Sequence, residues 1–536
     1  LTTTTEVAAT PRHGGRPTAL AALCTLLFLT FLDNTIVSVA LGNVQTELHA
    51  SVSSLQWVVS AYALTFASIM LACGMIGDEF GRKIVMLCGA GVFCGGSLLS
   101  ALAPNVGMLI AGRAVMGLGA AASEPGTLSM LRHLYTDERS RNRAVGVWAA
   151  VSGLALAVGP VLGGALTGAW GWRGIFWFNL AFGLAALVVA AIVLPESSDP
   201  DAHRVDTAGT LLGAAALAAL VFAVINGESA GFASPQVIAL FCVGAVAGVA
   251  FFWWEHRASH PLLDLRFLRV PSFVTANIAA FCTYFATFAI FFFTALYLEE
   301  VVGDSGFKIA LVFLPMTVLM IVTALLAGRW TGAAGPGWSI FAGCMLFSAG
   351  LLLANLSLSP RPDYWALVSA LGLTGIGIGA TVVPITSSAL NAVPPERSGM
   401  AASATNTSRE IGAVTGVAVL GALVNAQLSS SLTAKLRHLG IPANFQAIVI
   451  HAVETGGVPS GGNASGAGGA AGAGHASLVQ QVINAAYAAF QDGLRAALYL
   501  SAALVFVAGV LAAVRLGLRS RRAERDSAGL PDGQAG

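Results

Sequence analysis

Apolar residues in this chain come in long, nearly unbroken runs. They show neither the alternation of a half-buried strand nor the three-to-four spacing of a surface helix. The runs cover 18–42, 54–76, 84–103, 107–131, 141–167, 174–194, 208–226, 236–254, 272–298, 307–328, 337–357, 364–390, 399–427 and 493–515. About 20 apolar residues carry a helix across a hydrocarbon core of about 30 Å. Continuous runs of this length predict helices and not the ten-residue alternations of a barrel. The pattern predicts an all-α polytopic membrane protein with 14 transmembrane helices. The first run ends on "SVA" and could pass for a signal peptide, but an acid at its centre and the thirteen runs that follow argue against cleavage.

Composition agrees. Of 536 residues, 56% are hydrophobic and 10% charged, against about 25% charged in soluble domains; mean hydropathy is +0.78. A net charge of +1 gives no basis for binding nucleic acid through bulk charge. The seven cysteines lie in apolar runs without a CxxC pair, so neither a metal site nor a disulfide framework is indicated. Arginine far outnumbers lysine, and with abundant Ala and Gly this points to a GC-rich bacterial source. With the N-terminus placed in the cytoplasm, most arginines fall in inner segments, and an even number of spans then puts both termini inside. Between the last two runs, 428–492 forms the longest polar interval. Its centre, "GGVPSGGNASGAGGAAGAGHAS", reads as a flexible extracytoplasmic linker. Residues 1–17 read as a cytoplasmic segment and 516–536 as a disordered cytoplasmic tail.

Five stretches carry candidate chemistry. "GMIGDEFGRKIVML" joins the second and third runs through a short glycine-rich charged turn, in which Asp78 can cap the helix starting near Arg82 and pair with a base. It resembles the loop signature of the major facilitator superfamily, Gly-x-Leu-Ala-Asp-Arg-x-Gly-Arg-Lys, through Gly74, Asp78, Gly81, Arg82 and Lys83, with Glu79 in place of the usual Arg. The resemblance implies a latch between two helical bundles. "GLALAVGPVLGG" in the fifth run is similar to the antiporter signature of that superfamily: Gly153, Gly159, Gly163 and Gly164 permit close helix contact, and Pro160 a kink. "LIAGRAVMGLGAAASEPGTL" resembles its Arg-x-x-Gln-Gly-x-Gly-Ala pattern through Arg113, Gly117, Gly119 and Ala120, with Met116 where Gln is usual. "LDNTIVSVALGNV" resembles the first-helix motif of the fourteen-helix drug:H+ antiporter branch, departing at Ser38 and Gly42. "WGWRGIFWFNLAFG" resembles the start of the sixth helix in drug exporters. The resemblance spans the chain. It implies one six-helix bundle over 18–194, two extra helices and linkers over 195–271, and a second bundle over 272–515.

A charge at mid-bilayer costs about 2.5–3.5 kcal/mol on insertion scales, so Asp33 must face the interior, pair or take a proton. It lies roughly 22 Å along its helix from the cytoplasmic side, and Arg113 roughly 9 Å from the outer start of the fourth helix. Those depths match, and the superfamily fold packs the two helices together. Asp33 and Arg113 are therefore expected to pair, either as a switch released by protonation or substrate or as a static tie. Glu124, before Pro125, is expected to be a second proton site or part of a substrate route, or else to cap the segment broken by Pro125 or pair with a cytoplasmic arginine. Trp57, Tyr62, Tyr284, Phe288, Arg409 and Glu410 are candidates for a substrate cavity.

The expected function is a proton-driven efflux antiporter of hydrophobic or cationic drugs and antibiotics in the bacterial cytoplasmic membrane. It is expected to act as a monomer in the lipid bilayer, with the proton-motive force and no cofactor. A dedicated exporter of one endogenous metabolite is the alternative; a symporter is less favoured because of "GPVLGG". No HExxH, CxxC or membrane Ser–His arrangement marks an enzyme, and no Walker A pattern marks an ATP drive.

Overall fold

A computed structural model describes residues 15–50, 52–196, 206–258, 261, 263–304, 306–359, 362–394, 397–439, 441–442, 446 and 473–517. Among these residues there are helices and turns and no strand. In chain order the helices are α1 (Arg16–Ile36), α2 (Leu41–Leu48), α3 (Val52–Phe80), α4 (Arg82–Ala101), α5 (Val106–Leu134), α6 (Glu138–Trp170), α7 (Arg173–Val193), α8 (Thr207–Ala230), α9 (Pro235–Arg257), α10 (Pro271–Glu300), α11 (Gly306–Ala334), α12 (Pro336–Leu356), α13 (Tyr364–Asn391), α14 (Ser398–His438) and α15 (Ala473–Ala512). Among the described residues thirteen helices are long and apolar enough to cross a membrane, fourteen when α6 is counted as one span. Helix α6 bends by 44° between Glu138–Leu156 and Val161–Trp170. Pro160 lies in that break, where its missing N–H removes a helical hydrogen bond.

Side-chain caps set several helix starts. Asn105 accepts from the Met108 amide at 2.9 Å ahead of α5, and Asp137 from the Ser140 amide at 2.9 Å ahead of α6. Each satisfies one of the amides that a helix start leaves unpaired.

The chain forms two compact units. The first comprises Leu1–Thr210 with Pro394–Ser403, and the second Leu211–Val393 with Ala404–Gly536. In the first, α5 packs against α3 and α4, while α1 packs against α6 and α7. In the second, α13 packs against α11 and α12, and α15 against α10 and α12. Helices α8 and α9 touch at Gly244, where a Cβ would lie 2.8 Å from Leu220.

Two predicted boundaries move. The first run ends as α-helix at Ile36, after which Ser38–Ala40 form a 3-10 turn that leads into α2. At the far end, α14 runs to His438 and α15 starts at Ala473, so both flanks of the expected 428–492 loop are helical. Leu428, Leu432 and Leu436 recur every four residues and are buried. This amphipathic stripe falls below the hydropathy of a membrane run but holds a helix. Lys435 and Ser431 bind Asp492 across the two helices at 2.6 and 2.8 Å. The Gly/Ala/Ser centre, the first fourteen residues and 518–536 lie outside the described residues.

Candidate functional site

Asp33 sits in the last turn of α1 with 0% of its surface exposed, and Arg113 on α5 with 1%. The Arg113 guanidinium donates to Asp33 Oδ2 in a buried ion pair. Its Nε donates to the Val58 carbonyl of α3 at 2.9 Å, and its plane lies 4.6 Å from the centre of the Tyr62 ring. Asn179 of α7 donates through Nδ2 to Asp33 Oδ1 at 2.7 Å. Each carboxylate oxygen therefore has its own donor, one charged and one neutral; α1, α5 and α7 meet on one acid, and α3 holds its arginine. That is how a buried charge is tolerated in a low-dielectric interior.

Tyr62 was expected in a substrate cavity. It is buried against Arg113, with its hydroxyl donating to the Thr30 carbonyl at 3.1 Å. Trp57, half-buried, immediately precedes Val58 on α3. Met116 turns toward α4, where Ser100 Oγ lies 3.8 Å from its sulfur. Asn179 was not singled out in the sequence; an amide inside the apolar run "WFNLAFG" was the available sign.

Close packing holds this geometry. A Cβ on Gly117 would lie 2.0 Å from Thr65 Oγ1 and 2.5 Å from the Tyr62 carbonyl. A Cβ on Gly159 would lie 2.0 Å from Thr35 Oγ1, and one on Gly163 would lie 2.5 Å from the Ile36 carbonyl. The antiporter-like motif thus presses α6 against the turn of α1 that follows Asp33. Gly164 faces more open space, and Gly153 is buried within α6. Glu124 is buried on α5. One turn on, Thr127 accepts a hydrogen bond from Trp148 of α6 at 3.0 Å, and Trp148 meets Phe31 edge to face at 6.2 Å.

Asp78 lies at the end of α3, beyond the apolar Trp57–Gly74 stretch. The expected cap on α4 is not made: Gly81, at φ +106°, precedes that helix and supplies no side-chain bond. Asp78 instead pairs with Arg82 at 2.8 Å and accepts from the Met400 amide at 3.2 Å. That amide belongs to the first turn of α14, so the carboxylate caps a helix 322 positions away, at its positive dipole end. Gly74 and Gly399 make room: a Cβ on Gly74 would lie 1.6 Å from Ser403 Oγ, and one on Gly399 would lie 2.3 Å from Asp78. Gly77 and the half-buried Lys83 complete the turn, the Lys83 amide donating to Glu196 at 3.2 Å.

Burial pushes the Asp78 carboxyl up to about 6, against the pull of Arg82 and of the two α14 amides. Between about pH 4 and that value the folded protein holds a proton that the unfolded chain has released. The contribution of Asp78 to stability is therefore full below about pH 4 and is lost as pH rises through about 6. On acidification from about pH 7 to about pH 4, the unfolding midpoint should rise relative to that of Asp78→Asn. A difference that stays constant or changes in the opposite direction would show that burial does not dominate at this carboxyl.

In the second unit, Arg409 of α14 donates to Asn406 Oδ1 at 2.9 Å and to Thr386 of α13, and lies 5.4 Å from the Tyr284 ring of α10. Tyr284 and Phe288 form an aromatic pair at 6.3 Å. Glu410 is buried beside Arg409.

Comparison with known proteins settles the family. Residues 23–417 match the Major Facilitator Superfamily. The chain belongs to this superfamily. Among its superfamily relatives, the multidrug resistance protein Stp of Mycobacterium tuberculosis is 34% identical over 90% of this chain and 89% of its own. The methylenomycin A resistance protein of Bacillus subtilis is 36% identical over 76% of this chain and 87% of its own. The human organic anion transporter MFSD10 shares the fold, with a TM-score of 0.57 at 15% identity over 92% of this chain and 97% of that one. As a superfamily member, the protein is a multi-pass membrane transporter rather than an enzyme.

Proposed function

We propose that this protein is a proton-driven efflux antiporter that exports hydrophobic or cationic drugs and antibiotics across the bacterial cytoplasmic membrane by alternating access. The observation that carries the reading is the Asp33 carboxylate, fully buried and held by Arg113 and Asn179. A proton arriving at Asp33 neutralises it, removes its attraction for the guanidinium and frees α1, α5 and α7 to shift. A substrate that competes for the same acid drives the proton off, which is antiport through one carboxylate. The close α1–α6 contact at Gly159 and Gly163 confines that movement, and the Asp78–Arg82–Met400 cluster latches the start of α14. The relatives named for multidrug and methylenomycin A resistance support drug efflux. In this reading both termini are cytoplasmic, the protein works as a monomer, and the proton-motive force is the only drive.

Inside-out vesicles with an acid interior test the reading. Adding a panel of hydrophobic cations and neutral antibiotics should release interior protons for several of them. Release for one compound alone would favour the dedicated exporter, a reading to which a relative named for a single antibiotic lends weight. No release for any compound would overturn antiport.

A further inference from the structure

Helix α9 leaves one face uncovered. Val243, Val246, Val249 and Trp253 recur at intervals of three and four residues and are 56–71% exposed. Arg257, four positions past Trp253, continues that face and is exposed as well. Its guanidinium lies 4.0 Å from the centre of the Trp253 ring. At about 1.5 Å per residue the 23 residues of α9 span about 34 Å, which places Trp253 and Arg257 at the boundary of a hydrocarbon core of about 30 Å.

The elbow from α9 to α10 adds positive charge at this end. Buried Glu255 accepts from the Leu263 amide at 3.1 Å, which folds the chain back onto the last turn of α9. Phe267–Arg269 then form a 3-10 turn, with the Arg269 amide donating to the Arg266 carbonyl at 3.0 Å. Positions three apart eclipse in such a turn, so Arg266 and Arg269 project from one side, both exposed. Asp264 lies 3.8 Å from Arg266 Nε, yet 91% of that arginine's side chain stays open. Arg257 and Arg269 have no ion pair or side-chain hydrogen bond among the described residues.

This combination selects its occupant. An apolar strip that ends in a tryptophan and arginines complements a molecule with an acyl chain and an anionic head. Stacking on Trp253 uses only the flat face of the Arg257 guanidinium and leaves its N–H edge for phosphate oxygens. A second copy fits poorly. Two chains in one bilayer run the same way, and a two-fold axis pairing this face would set each arginine against the same arginine of the other chain.

We propose that the open face of α9 and the elbow after it bind an anionic phospholipid of the bilayer. An acyl chain lies along Val243, Val246 and Val249, and Arg257, Arg266 and Arg269 hold the headgroup. The elbow enters α10 at Pro271, so the lipid braces the junction of α9 with α10. The site is independent of the cargo and of proton coupling.

Native mass spectrometry of the full chain in a non-ionic detergent tests this, with phosphatidylglycerol and phosphatidylcholine of the same acyl chains as probes. The unmodified protein should bind its first phosphatidylglycerol at least about tenfold more tightly than phosphatidylcholine. Arg257→Gln/Arg266→Gln/Arg269→Gln should lose most of that preference with unchanged elution on size exclusion. Arg519→Gln/Arg521→Gln/Arg522→Gln removes the same charge from the C-terminal tail and should keep it. Inorganic phosphate should not displace the lipid. In nanodiscs, chain-brominated phosphatidylglycerol should quench more tryptophan fluorescence than chain-brominated phosphatidylcholine, and Trp253→Phe should remove that excess. No preference for phosphatidylglycerol, equal losses in the elbow and tail variants, or displacement by phosphate overturns the proposal. A dimer that Val246→Trp splits would give this face to a second copy and overturn it as well.

Discussion

Replacing Arg113 with methionine is expected to cost the folded protein about 3–5 kcal/mol and to stop transport. Methionine fills much of the same volume, so the loss is electrostatic. Of the two donors that now hold it, Asp33 would keep Asn179, and a buried carboxylate that loses its counter-ion must carry an uncompensated charge or keep a proton at every working pH. In neither case does it alternate. The Val58 carbonyl would lose the bond from Arg113 Nε as well. Thermal unfolding of the purified protein in detergent reads the cost, and the double variant Asp33→Asn/Arg113→Met decides its origin. With both charges gone most of the stability should return, while transport should not. A double variant no more stable than Arg113→Met would mean that the arginine acts mainly by packing against Tyr62.

The second large effect is expected at Gly163. A valine there would place its Cβ 2.5 Å from the Ile36 carbonyl, which is backbone and cannot rotate away. Helix α1 would have to part from α6 one turn beyond Asp33, displacing the acid from Arg113 and Asn179. Gly163→Val should therefore abolish export even where the protein still inserts in the membrane. Gly164→Ala serves as the control, because a Cβ there lies 3.9 Å from Val39, an ordinary contact. The pair should differ sharply in drug accumulation by cells at matched expression. Equal transport by both would show that the α1–α6 contact does not hold the site.

How much of this was legible depended on whether the physics was local. Burying twenty apolar residues is a property of a single segment, so the membrane helices stood out, and so did the misfit of Asp33 among them. The Asp33–Arg113 juxtaposition followed from matching depths once a helix pairing was supplied by resemblance. Asn179 is equally close to the acid, but a lone amide carries no formal charge and did not stand out. Besides Arg82, Asp78 binds a backbone amide 322 residues away, and no side-chain pattern encodes a backbone donor. The extensions of α14 and α15 were missed because amphipathic stripes such as Leu428, Leu432 and Leu436 hide beneath a hydropathy average. The contact of Tyr62 with Arg113 was not legible for a related reason: an aromatic ring serves equally to line a cavity or to cover a cation, and the sequence does not show which cation lies near it.

The most direct measurement compares substrate-driven proton release from acid-loaded inside-out vesicles carrying the unmodified protein and Asp33→Asn at equal amounts. The account predicts release with the aspartate and none with the asparagine, although the variant still folds and inserts in the membrane. Release of the same size from both would remove Asp33 from the coupling path and contradict the central claim.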